Sequence, residues 1–399
     1  MICDSPAKAF ILMVKSHSGY ESCTKCCIHG DYIENTICFP GFCDVLRTDE
    51  MFKNFNYNLD YQNKETKLIN IPYFELVSNV PLDYMHLVCL GVMRKLIQLW
   101  LNGPINKNVR FQSNIVHEIS NALTDFVQFI PSDFNRKPRA LKYLKYWKAT
   151  EFRLFLLYLG PVILRKHLRK DLYNHFLELY VAITILASPV LSLHDVNVSY
   201  AGQLLNHFVS SFETLYGKRY ISHNVHNLQH IAADVKKYGA LDNFSAFRFE
   251  NFIGTLIKLV KKGEKPLQQI SRRLKEYELT SQKKIKISGN LIRLEQRHYN
   301  DNKNNCCLLD DGSIVEALNF VLHDNIPYVI GREFVKLKSL YEYPMSSSDF
   351  SIHVCKVNDV LLSWLCSFIR AKLLKLPKNN KKAHSVIIFP ILHTKINYM

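Results

Sequence analysis

The sequence predicts a predominantly helical protein that ends in a small β-rich domain. Two patterns lead to this prediction. Between residues 82 and 216, apolar side chains recur at helical spacing, as in the stripe of Ile115, Ile119 and Leu123. After Asn300, short apolar runs alternate with Gly, Pro, Asn and Asp, which is typical of strands joined by turns.

Two helices of this region are expected to be buried. Residues 152–164 and 173–186 are apolar nearly all round, and 48% of all residues are hydrophobic, so the chain can form a large core. The apolar run at 176–193 contains Glu178 and is broken by Pro189, which argues against a membrane span. We therefore expect no membrane partner.

The composition divides the chain into five segments. Residues 1–45 are compact and rich in Cys and Gly, and residues 46–80 are polar and predict a loop. Residues 81–222 carry the helical patterns, and residues 223–299 a further helix followed by a highly charged, helical stretch. Residues 300–399 carry the short runs of the β-rich domain.

The chain is strongly basic, with 51 Lys and Arg against 35 Asp and Glu and a net charge of +16. Such an excess favours phosphate-rich partners such as nucleic acid, although solvated lysine faces also produce it. Basic residues concentrate between 258 and 286, which predicts either a DNA-backbone surface or a solvated helical face. The residues that we expect to contact DNA are Lys258, Lys261, Lys262, Arg272 and Arg273.

A second basic stretch, residues 136–148, has a different composition. It interleaves Arg and Lys with Tyr143, Tyr146 and Trp147. Aromatic rings between cations can stack on bases or sugars while the cations meet phosphates.

The chain has 11 cysteines and no secretory signal, which indicates a reducing compartment and thiols that serve as metal ligands. Cys23 and Cys26 form a C-x-x-C turn that can hold one zinc ion from one side. His226 and His230 share a face of a predicted helix and can complete a Cys2His2 tetrahedron, with His223 as an alternative ligand. The other interpretation is two free thiols and a pair of structural histidines.

Carboxylates suggest a second kind of site. Cutting a phosphodiester bond with two metal ions requires carboxylates that converge on Mg²⁺. The candidates are Asp4, Asp83, Asp242 and Glu250; of these, Glu250 stands among apolar and aromatic neighbours and must be paired, metal-bound or at a helix edge. A helix cap or a salt bridge is the alternative role of each. Motifs for phosphate loops, nucleophile elbows, dinucleotide binding and zinc deaminases are absent from the sequence.

Five strings, at residues 3–9, 17–26, 81–86, 226–230 and 239–251, together resemble the transposases of the CACTA/Mirage/Chapaev superfamily in their order and spacing. The resemblance implies an RNase H-like fold with three metal-binding carboxylates, interrupted by a large all-α insertion. It also implies cut-and-paste transposition in the nucleus, by Mg²⁺-dependent DNA cleavage and strand transfer.

The resemblance assigns roles to individual residues. Asp4 matches the second catalytic carboxylate and Glu250 the third. Asp83 and His86 match a D-x-x-H string within the insertion, for which we expect a structural or DNA-positioning role. The layout is similar to that of the V(D)J recombinase catalytic subunit, which implies a structural zinc ion on Cys23, Cys26, His226 and His230.

The chain departs from this family at its start. In the family the first carboxylate lies upstream of the second, but only three residues precede Asp4 here. We therefore expect an α/β remnant of the RNase H-like fold without its first strands, in which cleavage is lost. Two other interpretations stay open: a non-catalytic DNA-binding protein and a protein-interaction protein. Self-association into a homo-oligomer is compatible with each.

Overall fold

In a computed structural model of the chain, residues 1–281, 303–324, 326–378 and 385–392 are described. About half of the chain is helical, which confirms the predicted helical majority. The helices are α1 (Ser5–Leu12), α2 (Asp49–Lys53), α3 (Arg94–Asn102), α4 (Ser113–Asp125), α5 (Ala149–Leu154), α6 (Gly160–His167), α7 (Lys170–Ala187), α8 (Asp195–Tyr216), α9 (His223–Tyr238), α10 (Phe247–Leu259) and α11 (Pro266–Ser281). The strands are β1 (Asp31–Ile33), β2 (Thr36–Cys38), β3 (Cys306–Leu309), β4 (Ile314–His323), β5 (Ile326–Ser339), β6 (His353–Leu365), β7 (Ile369–Pro377) and β8 (Val386–Pro390).

The centre of the helical region is α7, which is buried on every side. Its sequence is apolar all round, and each side chain at 176–187 is buried. Its buried histidine and glutamate both have partners: His175 Nε2 lies 2.9 Å from the carbonyl oxygen of Phe208, and Glu178 accepts the hydroxyl of Tyr343 at 2.5 Å. These contacts reduce the cost of burying polar groups inside the core.

Close packing against a π-helix positions α9, the helix that carries His226 and His230. This π-helix spans Met85–Met93 and continues directly into α3. A Cβ atom at Gly91 would lie 2.4 Å from Nδ2 of Asn224 in α9, so only glycine permits this approach of the two helices.

The segment at 46–80, predicted to be a loop, contains the short helix α2 and a 3₁₀ turn and is otherwise irregular. Phe52, Tyr57 and Tyr61 are buried in a small core that also includes Leu12 of α1. Burial of these aromatic rings anchors a segment whose polar composition predicts no regular element.

The C-terminal strands β3 to β8 form a closed antiparallel sheet in the order β3-β4-β5-β6-β8-β7. The ring closes where β7 pairs with β3, with Cys307 opposite Lys372. This confirms the predicted β-rich C-terminal region. Each of the six described strands therefore pairs with a neighbour on both sides over at least part of its length.

The closed sheet packs against the helical region. The ring of Phe389 in β8 lies 6.1 Å from that of Tyr158, and the backbone N–H of Leu392 donates to the Tyr158 hydroxyl at 3.1 Å. Lys372 of β7 pairs with Asp133 at 2.6 Å. Apolar and charged contacts therefore both join the two parts of the molecule.

In the segment predicted to be an RNase H-like remnant, residues 1–45, the structure has α1 followed by the hairpin β1–β2. An isolated antiparallel β-bridge joins Leu46 to Cys26, the last residue of the C-x-x-C turn. Among the described helices, none is both long and apolar enough to cross a membrane.

Candidate metal centre

Cys23 and Cys26 lie in a tight turn that backbone hydrogen bonds hold in place. The N–H of Cys27 donates to the carbonyl of Val45 at 2.9 Å, and the N–H of Arg47 donates to that of Lys25 at 2.9 Å. The N–H of Lys25 also points at the Cys23 sulfur, 3.4 Å away. A backbone N–H directed at sulfur stabilises the thiolate form, which is the form that binds metal.

The buried side chain of Arg47 braces this turn from behind. Its Nε donates to the carbonyl of Cys23 at 2.9 Å, and its guanidinium lies 3.4 Å from the ring centroid of Tyr61 and 4.6 Å from that of Tyr57. Stacking on two rings orients the guanidinium, which also pairs with the carboxylate of Glu21 at 3.7 Å. Protein contacts therefore hold the cysteine turn in place without a metal ion.

Helix α9 supplies the two histidines. His226 and His230 are four residues apart, so their side chains point to the same face. The helix is fixed to the cysteine turn by Asp234, whose carboxylate pairs with Lys25 at 2.9 Å and accepts the backbone N–H of Leu82 at 2.7 Å. Asp234 thus fixes the distance between α9 and the turn.

The four side chains Cys23, Cys26, His226 and His230 converge so that they can hold one metal ion, with all ligand atoms within 4.8 Å of one another. The sulfur atoms are 3.6 Å apart, the two Nε2 atoms 3.4 Å, and the Cys26 sulfur lies 3.3 Å from Nε2 of His226. A tetrahedral zinc ion with ordinary Zn–N and Zn–S bonds requires ligand separations of about 3.3–3.8 Å. These three distances match that requirement.

The electrostatics of the cluster favour one thiolate. Burial alone would raise the pKa of Cys23, but hydrogen bonds from Cys26, His226 and His230 outweigh it and hold the pKa well below its usual value. The same hydrogen bond to Cys23, together with burial, raises the pKa of Cys26. Cys23 is therefore the thiol that loses its proton more easily, and a bound cation would favour loss of the second proton.

His223, the alternative ligand, lies outside this cluster. Burial lowers its pKa to about 4, so the ring is neutral, and its Nε2 lies 3.2 Å from the carbonyl of Ser22. The ring of Phe39 packs between His223 and His226, 6.0 Å from each centroid. His223, in the first turn of α9, thus contacts Ser22, the residue that precedes Cys23.

A second layer of polar groups surrounds the ligands. The side-chain amide of Gln229 lies 3.2 Å from Nδ1 of His226, and that of Asn227 lies 3.5 Å from the Cys23 sulfur. The Gln229 atom that faces the ring is the amide nitrogen. If Nε2 of His226 binds a metal, Nδ1 carries the proton, and the Gln229 amide must turn its oxygen toward the ring to accept it.

The candidate carboxylates have different surroundings. Asp4 caps α1 and accepts the N–H of Ala7 at 2.8 Å. Asp83 is buried; its Oδ1 accepts the N–H of Ala246 at 2.7 Å, and its Oδ2 accepts both the N–H and Nδ1 of His86 at 2.9 and 2.6 Å. Asp83 therefore joins the start of the π-helix to the start of α10.

Glu250 reaches the same histidine from the other side. Its Oε1 lies 3.4 Å from Nε2 of His86, and its side chain is 57% exposed. The hydrogen bond to Asp83 raises the pKa of His86 against the effect of burial, and the charges of Asp83, Glu250 and Asp4 add to the rise. Asp83, His86 and Glu250 thus form a row in which the imidazole lies between two carboxylates, both of which favour its protonated form.

Asp242, the remaining candidate, pairs with Arg153 at 2.6 Å and is a structural residue. In the described part of the chain, the Cys/His cluster is the group of three or more ligating side chains that can hold an ion. The carboxylates are not brought together in that way.

The predicted DNA-contacting residues lie on α10, α11 and the loop between them. Lys258, Lys261 and Lys262 are exposed, and Gln269 orders the loop by accepting the N–H groups of Lys261 and Lys262 at 2.9 and 3.2 Å. Arg272 is exposed and pairs with Glu276 at 3.0 Å, whereas Arg273 is half-buried. The part of the basic stretch beyond residue 281 lies outside the described residues.

Beside these cations, α10 exposes apolar side chains, and the most exposed are Phe249, Phe252, Ile253 and Ile257. They recur at helical spacing, so they form one stripe beside Glu250.

Several residues that build the site were not predicted. Arg47, Asp234 and Lys25 carried no motif signal, because an arginine stacked on tyrosines and a lysine–aspartate pair 209 residues apart have no local pattern. Of these three residues, Lys25 alone lies within a motif, because it is one of the two residues between the cysteines of the C-x-x-C turn.

A protein-family model described as a domain of unknown function (DUF8592) matches residues 277–391. The match spans the closed sheet and the segment before it, and it contains none of the candidate site residues. Comparisons with curated proteins and with solved structures find no match.

Proposed function

We propose that this protein is derived from a cut-and-paste DNA transposase and that it binds DNA in the nucleus, with a zinc ion that clasps its N-terminal segment to α9. The observation that carries the proposal is a network of contacts among the five strings that resemble the transposase family. Within this network, residues far apart in the chain meet in pairs.

The contacts of this network are direct. Lys8 Nζ donates to the carbonyl of Pro81 at 2.9 Å, which joins the first string to the third. Asp83 accepts the N–H of Ala246 at 2.7 Å, which joins the third string to the last. Cys26 meets His226, which joins the second string to the fourth. Unrelated short motifs have no reason to meet in this way.

Zinc is the metal that best suits the cluster. Two thiolates and two imidazoles are soft and borderline ligands, which select zinc over Mg²⁺ or Ca²⁺. Because all four positions are taken by protein atoms, the site is of the closed, structural kind. A bound zinc ion would hold the segment around Cys23 against α9 across some 200 residues of chain.

DNA is the partner that suits the charge. The net charge is +16, and Lys258, Lys261 and Lys262 are exposed at the C-terminal end of α10 and in the loop after it, without an ion-pair partner among the described residues. Exposed cations on an ordered loop contact phosphates with little loss of conformational freedom.

The parent reaction would be Mg²⁺-dependent cleavage and strand transfer of DNA ends, carried out in an RNase H-like fold. Among the described residues, Asp4 is used as a helix cap and Asp83 is fully hydrogen-bonded, so Glu250 is the carboxylate left to bind Mg²⁺. A single exposed carboxylate does not position two metal ions. We therefore propose that this polypeptide alone binds DNA without cutting it.

The test of DNA binding is the affinity for a 20-base-pair duplex at several salt concentrations, measured by fluorescence anisotropy. Replacing Lys258, Lys261 and Lys262 together by Gln should weaken binding at least about tenfold and lower the salt slope by roughly 2–3, or about 0.9 for each phosphate contact. The matched control replaces Lys53, Lys64 and Lys67 by Gln; it changes the charge equally and should have a much smaller effect. Equal losses in both triple variants would contradict the proposed surface.

The test of cleavage is nicking of supercoiled plasmid in Mg²⁺. We expect no nicking by the wild-type chain and unchanged DNA affinity in Glu250→Gln. A nicking activity that disappears in Glu250→Gln would show that the proposal of a non-cutting chain is wrong.

A further inference from the structure

Residues 141–148 read Leu-Lys-Tyr-Leu-Lys-Tyr-Trp-Lys, a three-residue pattern repeated in tandem. In the structure, Leu141–Tyr146 is a 3₁₀ helix. A 3₁₀ helix has 3.0 residues per turn, so side chains three apart lie directly above one another. The repeat and the helix therefore share the same period, and each residue type lies on its own edge.

Burial follows this period. The apolar edge, Leu141, Leu144 and Trp147, is buried, and the Leu141 N–H is fixed to the Ser120 hydroxyl at 3.2 Å. The other two edges face solvent: Tyr143 and Tyr146 are 44% and 62% exposed, and the lysines are exposed as well. We call Lys142, Tyr143, Lys145 and Tyr146 the LKY ridge.

The end of the ridge is held rigid. Arg139 forms a two-pronged pair with Glu151, at 2.6 and 2.7 Å, and also donates to the carbonyl of Tyr146 at 2.5 Å. The carboxylate of Glu151, which lies near the ridge, is thus neutralised by an arginine. Lys142 and Lys145 have no ion-pair partner among the described residues; each lies over the neighbouring tyrosine ring, at 5.0 and 6.0 Å.

We propose that the LKY ridge binds unpaired, single-stranded DNA, with bases stacked on the two tyrosines and phosphates on the two lysines. Exposed rings between cations on an ordered element are the features that single-strand binding surfaces use. A groove of about 850 Å³ lies alongside, between the ridge and α4, and Ser120, Asn121 and Thr124 line it with hydroxyl and amide groups.

The spacing selects a single strand over a duplex. Successive tyrosines are about 6 Å apart along a 3₁₀ helix, whereas stacked bases in one strand of a duplex are about 3.4 Å apart. Two adjacent bases that each stack on one ring must therefore separate from one another, which an unpaired strand permits and a duplex does not.

This inference deepens the proposed function, since it relies on DNA as the partner, but it concerns a different surface from the lysines after α10. The test measures anisotropy of a labelled 20-nucleotide oligothymidine and of a 20-base-pair duplex. Replacing Tyr143 and Tyr146 together by Ala should weaken single-strand binding at least about tenfold, as expected for two lost stacking contacts. Duplex binding should stay within about twofold, because α10 and its loop are intact.

Three variants sharpen the result. Tyr143→Phe combined with Tyr146→Phe should keep single-strand affinity within about twofold, since phenylalanine also stacks. Tyr73→Ala removes a still more exposed tyrosine elsewhere and should leave affinity for both DNA probes unchanged. Lys142→Gln combined with Lys145→Gln should lower the salt slope for oligothymidine by roughly 1.4, or about 0.7 for each phosphate. All the substituted side chains are exposed, so circular dichroism should show an unchanged fold.

The outcomes separate the two proposals. If the chain binds duplex through the α10 lysines but the Tyr→Ala pair leaves single-strand affinity unchanged, the LKY ridge proposal is overturned and the proposed function stands. If the Tyr→Ala pair weakens duplex and single strand equally, the ridge does not select unpaired DNA and the proposal is also overturned. Absence of binding to either DNA overturns both.

Discussion

The Cys/His cluster and the row of Asp83, His86 and Glu250 are both built from pairs of motifs far apart in the chain, yet their side chains are used differently. In the cluster, the ligand atoms point at one another across 3.3–3.6 Å and point at few other groups. In the row, the carboxylate of Asp83 is saturated by three donors. Ligand atoms that converge on one another can bind a metal together, whereas a carboxylate engaged by backbone groups holds the fold together.

The largest effect should come from breaking the cluster. Replacing Cys26 by Ser removes one of four ligands, so we expect zinc content to fall from one equivalent to near zero. The free energy of unfolding should fall by at least about 4 kcal/mol, which corresponds to losing a ligand present at 1,000 times its Kd. Metal analysis together with chemical unfolding measures both quantities.

Cys43→Ser is the matched control, because this half-buried cysteine lies near the cluster but is not part of it. It should keep its zinc and nearly all of its stability. Equal stability of Cys26→Ser and the wild type, each without zinc, would show that the four side chains are structural only.

A smaller effect should follow from weakening the row at Asp83. Asn in this position keeps one acceptor but loses the charge that holds His86 and the start of α10. We expect unfolding to become easier by about 2–4 kcal/mol, with zinc content unchanged. Urea unfolding measures the change, and Asp4→Asn, which retains a helix cap, should cost less than about 0.5 kcal/mol. A loss of zinc in Asp83→Asn would mean that the two sites are not independent.

A smaller effect is the pH dependence of the stability that His86 contributes. Since the hydrogen bond to Asp83 raises the pKa of His86 above its unfolded value of about 6.5, protonation of His86 stabilises the fold. This contribution is fully present below about pH 6.5 and is lost as the pH rises through the raised folded pKa. The stability difference between wild type and His86→Gln should therefore narrow as the pH rises above about 6.5. A difference that stays constant would contradict a charged His86.

Glu250→Gln tests the exposed end of the same row. Its carboxylate is 57% exposed and 3.4 Å from His86, so water screens the pair. We expect a change of less than about 0.5 kcal/mol at neutral pH, against the larger loss in Asp83→Asn.

Much of this molecule could be predicted from local patterns. The all-apolar run at 173–186 predicts a buried helix because no face of it can meet water, and α7 is buried all round. Turn residues after Asn300 predict strands, and six strands form there. In the segment at 46–80, the polar composition does not reveal the small core in which Phe52, Tyr57 and Tyr61 pack on one another and near α1.

The sequence by itself determined the ligand types and their local spacing: two thiols in a C-x-x-C turn and two imidazoles one helical turn apart. Only the tertiary structure decided that Asp234 and Lys25 bring these pairs together, that His223 stays outside the cluster, and that Asp83 serves as a structural joint. The physical reason is that spacing along a helix or turn acts over a few residues, whereas the pairing of elements depends on buried contacts between segments some 200 residues apart.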